Sequence, residues 1–236
     1  QRQAWHSDGD DHTFNGVMFD VDCRSELPVD TLYLRSVSVR GQLGEVSVYT
    51  REGTYYENFE RKHTWTRIYC AFHEPSPMRL VKLEFQSPIA IQAGGTAALY
   101  IHSTLVWDGM GTAAIVYNNQ RRRATIENRF MTVSPALAHT SSEAFSRSGF
   151  WGMAWRPRRE FVGSIDYAVR WRLWTPENSR HFNPQFREAV RTLLLVQRFG
   201  KSGIGSLSPD MLFYIINFLR HDAFGAEASP DAASEA

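Results

Sequence analysis

LYLRSVSVRGQLGEVSVYT, residues 32–50, decides the fold class. Apolar and polar side chains alternate with period two on both sides of a short glycine-bounded break, the signature of half-buried strands. Written as a strand, the first run sets Tyr33, Arg35, Val37 and Val39 on one side. Turn residues Gly41 to Gly44 follow, then GEVSVYT, so the two runs are expected to form a β-hairpin.

The same period extends in both directions. GVMFDVDC (16–23) alternates Val17, Phe19, Val21 and Cys23 against Met18, Asp20 and Asp22. WTRIYCAF (65–72), MRLVKLEFQ (78–86), SPIAIQAGG (87–95), TAALYIHST (96–104) and GTAAIVYNN (111–119) read as further short strands, with PSP (75–77) as a breaker. No helical crossovers separate them, so an antiparallel β-sandwich of jelly-roll type with eight or nine strands is predicted. Residues 1–12 are polar and aperiodic and are expected to form a flexible arm. The sandwich is placed at 13–135, with an irregular wrap and one completing strand over 136–180. Phe145, Phe150, Trp151 and Trp155 are the anchors expected to pin the wrap.

After residue 180 the period changes to 3.6. Asn183 with Pro184, and Ser208 with Pro209, pair an N-cap residue with a proline at the first helical position. Phe186, Ala189, Val190, Leu193, Leu194 and Gln197 line one face of the first helix. Leu212, Ile215, Ile216 and Leu219 line the second and are candidates for docking a partner. This helical hairpin, 181–224, is too small to be stable alone. It is expected to dock on the sandwich or on a partner. Residues 225–236 form a small-residue acidic tail.

Composition narrows the function classes. The 236 residues are 43% hydrophobic and 13% aromatic, enough for a substantial core, and the formal charge is only +1. Any basic surface is therefore local, and nucleic acid is not indicated globally. No apolar run approaches the ~20 residues of a membrane span. Cys23 and Cys70 are compatible with one disulfide or two free thiols.

Two basic stretches invite an anion. GMAWRPRREFVGSIDYAVRWRLWTP (152–176) contains a strand that places Ile165, Tyr167, Val169, Trp171 and Leu173 on a buried face. Arg170, Arg172 and Trp174 fall on the outer face. NNQRRRATIENR (118–129) carries Arg121, Arg122 and Arg123, which in a loop suit a phosphate, sulfate or carboxylate. The competing reading of each is a solvated face with arginines paired to nearby acids such as Glu160 and Glu127. Trp107 and Asp108 in LVWDGM combine an aromatic platform with an acid, a pairing that suits a glycan.

Catalytic and metal motifs are not recognised. HSDGDDH (6–12) offers His6, Asp8, Asp10, Asp11 and His12, but the spacing does not fit an EF-hand, and no metal or cofactor is expected. His139 near Ser141 and Ser142, and His102 beside Ser103 on one strand, form no nucleophile elbow. GKSG (200–203) lacks the remainder of a phosphate loop.

The strand series LYLRSVSVRGQLGEVSVYTREG…WTRIYC…SPIAIQAGGTAALYIHST…AIVYNNQR, with the Trp/Arg-rich segment and SLSPDMLFYIINF, resembles an uncharacterised β-sandwich domain of algal and other protist proteins over about residues 16–224. The strands alone, with NGVMFDV (15–21), resemble PHR-type and bacterial surface β-sandwich domains, which implies a binding or adhesion module. LSPDMLFYIINFL is similar to the opening helix of an F-box, although Ser208 stands where that motif has proline. Together with FREAVRTLLLV it is loosely similar to a SOCS-box. Either likeness implies a ubiquitin-ligase adaptor. The expectation that emerges is a non-enzymatic protein-interaction or scaffold module, an accessory subunit of a larger assembly. A glycan- or anion-binding sandwich and the ligase adaptor are the alternatives.

Overall fold

The computed structural model describes residues 2–6, 12–106, 114–149, 152–200 and 203–219. The chain divides into two compact units: Gln1–Ser25 with Val29–Arg170, and Glu26–Pro28 with Trp171–Ala236.

The first unit is an antiparallel β-sandwich. Its strands open with β1 (Arg2–His6), β2 (His12–Phe14), β3 (Gly16–Cys23), β4 (Val29–Gly41) and β5 (Gly44–Glu52). β6 (Thr66–His73), β7 (Ser76–Gln92), β8 (Thr96–Ser103) and β9 (Ile115–Asn119) follow. The series closes with β10 (Ile126–Glu127), β11 (Met131–Val133), β12 (Ala136–His139), β13 (Trp155–Phe161) and β14 (Gly163–Trp171). Four strands form one sheet in the order β1-β14-β4-β7. The other sheet runs β2-β9-β13-β12-β3-β8-β5-β6, with β11 pairing the far half of β3 and β10 pairing β11. β4 lies against β9, and β7 against β3 and β8, so the sheets stack face to face.

The stretch 32–50 is not a hairpin. β4 belongs to the small sheet, paired with β7, while β5 belongs to the large sheet between β8 and β6. The glycine-bounded break is a corner that carries the chain from one sheet to the other. Gly41 there has φ 145° and Gly44 has φ 70°. A Cβ on Gly41 would lie 2.2 Å from the Ala114 carbonyl oxygen. Leu43 between them also adopts positive φ, 54°, with its side chain fully buried and its N–H bonded to Ala114 O at 3.0 Å. Burying a leucine contributes roughly 1.5–3 kcal/mol, which offsets the roughly 1 kcal/mol or more of left-handed strain.

Polar-apolar alternation on β3 also misleads. Val17, Phe19 and Val21 are buried, but so are Met18 and Asp20. One face of the large sheet joins the intersheet core, where Phe19 meets Phe161 at 4.5 Å. The other face is roofed. Met18, Ala98 and Tyr100 pack there with Trp65, Leu137, Phe145, Ala154 and Trp155. Phe145 and Trp155 thus pin the wrap as expected; Phe150 and Trp151 lie outside the described residues. The stretch expected to be a polar arm supplies β1, paired with β14, and β2, paired with β9. MRLVKLEFQ and SPIAIQAGG, expected as two strands, fuse into β7, with a register shift opposite Leu34 and Ser36. Both cysteines are free, Cys23 buried and Cys70 exposed.

The second unit holds α1 (Pro184–Phe199) and α2 (Pro209–Phe218). Asn183 Oδ1 accepts from the Phe186 N–H at 2.7 Å and Ser208 Oγ from the Met211 N–H at 3.3 Å, the two caps read from sequence. Trp174, Phe182, Phe186, Val190, Leu212 and Ile216 form its core. Trp174 was expected on an outer strand face. Instead β14 ends at Trp171, and Trp174 is 3% exposed with its backbone N–H donated to Asn217 Oδ1 at 2.6 Å. Leu173, expected to be buried, is 68% exposed. The strand period stops three residues before Trp174, so face assignments beyond it invert.

Candidate functional site

The two arginine runs, 35 residues apart in sequence, become neighbours through β9 and β13. The register pairs Arg159 with Asn119 and Glu160 with Asn118, and the Gln120 N–H donates to Arg158 O at 3.0 Å. Arg121–Arg123 continue from the end of β9, directly beside Arg158. Arg158 itself sits at φ 59° where the β12–β13 register shifts, a bulge that re-aims side chains. Arg121, Arg122, Arg123 and Arg158 are all exposed, and Arg156 and Arg159 are half-buried. Arg159 folds back on its own strand: Nη1 donates to the carbonyls of Pro157 and Arg158, and its guanidinium lies 5.9 Å from the Tyr117 ring centre.

Glu160 is the keystone of this surface. It is fully buried, and its Oε1 accepts the backbone N–H groups of Arg121 at 2.8 Å and Arg122 at 2.9 Å. The carboxylate therefore faces the turn's backbone and fixes its shape. Glu127, the other acid expected to neutralise the run, pairs with Arg24 at 2.9 Å instead. Asn118, opposite Glu160, is also fully buried, and its amide has no protein hydrogen-bond partner among the described residues.

Arg170 is differently placed. Its Nε donates to Asp30 Oδ2 at 2.6 Å, its Nη2 to Thr31 Oγ1 at 3.0 Å, and its guanidinium lies 5.7 Å from the Tyr33 ring centre. It braces β14 against β4. Arg172 is half-buried, and its backbone N–H donates to Pro28 O at 2.8 Å. Arg170 is thus tied down within the first unit, and Trp174 is buried in the core of the second. Trp107 and Asp108 lie outside the described residues.

On α2, Leu212 and Ile216 are consumed by the helical core, with Leu219 packed at its margin. Ile215 lies on the opposite side, 39% exposed, together with Met211 at 55%, Tyr214 at 67% and Phe218 at 69%. These four stand at i, i+3, i+4 and i+7, a complete second apolar stripe. Sequence reading merged the two stripes, because MLFYIINFL is apolar all round and its periodicity does not say which face is already used.

A buried polar cluster was missed by sequence. His139 Nδ1 accepts from the Tyr100 hydroxyl at 2.6 Å, and its Nε2–H donates to Ser146 O at 3.0 Å. His102 Nε2–H donates to Ser141 O at 2.9 Å, with the two imidazoles 5.5 Å apart. His139 also stacks on Trp155 at 4.0 Å. Burial lowers His102 to about 4 and His139 to about 3, so both rings are neutral at pH 7. Both tie the wrap to the sheet. Ser141 opens onto a shallow cleft of about 360 Å³ shared with Asn15, Thr140 and Ser148. Among the described hydrogen bonds, neither ring meets a serine hydroxyl; each bonds a backbone carbonyl of the wrap. A second cleft of about 470 Å³ lies between Tyr49, Trp65, Lys62 and Arg67. Among the described residues no three His, Cys, Asp or Glu side chains converge on a metal position. No described helix is long and apolar enough to cross a membrane.

Comparison with protein-family models gives no match. Comparison with curated proteins likewise gives none of significance.

Proposed function

We propose that the chain is a non-enzymatic interaction module that engages a protein partner through the outer face of α2. The carrying observation is the second apolar stripe, Met211, Tyr214, Ile215 and Phe218, left exposed after Leu212 and Ile216 have filled the helical core. A helix apolar on both sides is ordinarily buried on both sides. The occupant that suits i, i+3, i+4, i+7 anchors is a hydrophobic groove on another protein. The F-box likeness of the same helix names one class of partner, the scaffold of a ubiquitin ligase.

A photo-crosslinking residue in place of Tyr214 tests the reading. One defined partner band is expected in host cells, lost when Phe218→Ser is added. A strictly monomeric chain that crosslinks to nothing overturns it. Crosslinking to a cullin adaptor selects the ligase class, and crosslinking to any other single protein rejects that class while keeping the module.

A further inference from the structure

We infer that the larger cleft of the β unit, about 470 Å³, is a binding site for a small aromatic phosphate, a planar ring of nucleotide size that carries a phosphate group. Two aromatic side chains, Tyr49 and Trp65, and three nitrogen bases, Lys62, His63 and Arg67, line it. Lys62 and His63 come from one 3-10 turn, Lys62–Thr64. Trp65 follows that turn directly. Its backbone N–H donates to Lys62 O at 3.1 Å and its indole N–H to Asn58 O at 2.9 Å. Tyr49 and Arg67 are cross-strand partners on β5 and β6. The register there steps from Val48–Tyr69 to Tyr49–Arg67, so Ile68 is an extra residue, a β-bulge. Without the bulge Ile68 would stand opposite Tyr49; with it, a guanidinium-bearing residue does.

The ligand class follows from the contrast between floor and rim. The floor is set before anything binds. Tyr49 stacks on Tyr100 at 5.7 Å and meets Phe145 edge-on at 5.0 Å. Trp65 lies 6.3 Å from Tyr100 and 5.9 Å from Phe145. Tyr100 and Phe145 are both buried, so the two cleft aromatics are wedged against the roofed core. Lys62, His63 and Arg67, by contrast, are exposed. A ligand that satisfies both must offer a flat apolar surface to the floor and negative charge to the rim. Arg67 supplies a planar fork for two oxygens and Lys62 a point charge. Two such cations suit a phosphate dianion better than a single carboxylate. The volume lies within the range of about 300–1,000 Å³ typical of small-molecule sites, more than a bare inorganic anion fills.

Phenyl phosphate and the four ribonucleoside monophosphates, titrated calorimetrically into the full chain at low salt, are the probes. At least one is expected to bind saturably, at least tenfold tighter than inorganic phosphate and than its own ring without the phosphate. Lys62→Glu with Arg67→Glu is expected to weaken that binding at least tenfold while leaving the melting temperature unchanged, since both side chains are exposed. Tyr49→Leu is expected to erase the advantage over inorganic phosphate, and Tyr49→Phe, which keeps the ring, to retain it. Should Tyr49→Leu fail to fold, the charge variant decides the site and the comparison with inorganic phosphate decides the class. No binding by any of the five probes, or binding indifferent to the charge variant, overturns the site. Inorganic phosphate that binds as tightly as the best aromatic phosphate overturns the ligand class. The cleft belongs to the first unit and α2 to the second, so this outcome and the crosslinking outcome are read independently.

Discussion

The wrap over the large sheet depends on two uncharged histidines. Their lowered folded values, about 4 for His102 and about 3 for His139, lie below the 6.5 of an unfolded histidine. Above pH 6.5 neither state is charged and the contribution to stability is complete. As pH falls from 6.5 toward 3, the unfolded chain takes up protons that the folded chain refuses, so stability drains. By pH 4 the loss is on the order of 3 kcal/mol for each ring. Urea unfolding at pH 7, 5.5 and 4 is expected to show this slope, and His102→Gln with His139→Gln to flatten it. An unchanged slope in the double variant would place the acid sensitivity elsewhere. Tyr100→Phe removes the donor to His139 Nδ1 and is expected to cost about 1–3 kcal/mol at pH 7 by the same assay. Thiol chemistry gives a third residue-scale outcome. Native chain is expected to label at exposed Cys70, and at Cys23, 2% exposed and raised by burial, only on unfolding. None of the histidine geometry is legible in sequence. His102 and His139 meet only because β8 and β12 both flank β3, a matter of strand order that periodicity does not encode.

Single elements were legible wherever their signal is local. The caps Asn183 and Ser208, each followed by proline, mark both helix starts, because capping needs only three residues of context. The break at Gly41–Gly44 was legible as a break, yet not as a corner between sheets, because positive φ is demanded by hairpin turns and sheet crossings alike. Gly41→Ala tests the corner. Its added Cβ meets the Ala114 carbonyl at a positive φ, so a loss of roughly 3 kcal/mol is expected in chemical denaturation. A tolerated Gly41→Ala would mean that the strand end can move away from β9. On α2 the two stripes should separate experimentally. Leu212→Ala, in a 1% exposed position, is expected to cost about 2–5 kcal/mol, whereas Phe218→Ser is expected to change the stability little. Equal losses would show that both faces serve the same core.

At the scale of the molecule, fold class was legible because many strands repeat one signal, while the meeting of the two arginine runs was not, because it needs the β9–β13 register. The larger unit closes on itself through the last of its strands: β13 sits between β9 and β12, and β14 between β1 and β4. A chain ending at Trp171 contains all fourteen of the described strands and is expected to keep a β-type circular dichroism spectrum and dispersed amide resonances. One ending at Val162 is expected to lose the dispersion. Survival of the shorter chain would show that the small sheet does not need its inner strand. The place of β14 also sets a timetable. β1 is made long before its pairing partner, which begins only at residue 163. At roughly 5–20 residues per second it waits on the order of ten seconds or more, an unmatched strand edge on a growing chain. The polar composition of QRQAWHSDGDDH, which disguises it as an arm, is of the kind that guards an unpaired strand edge against aggregation.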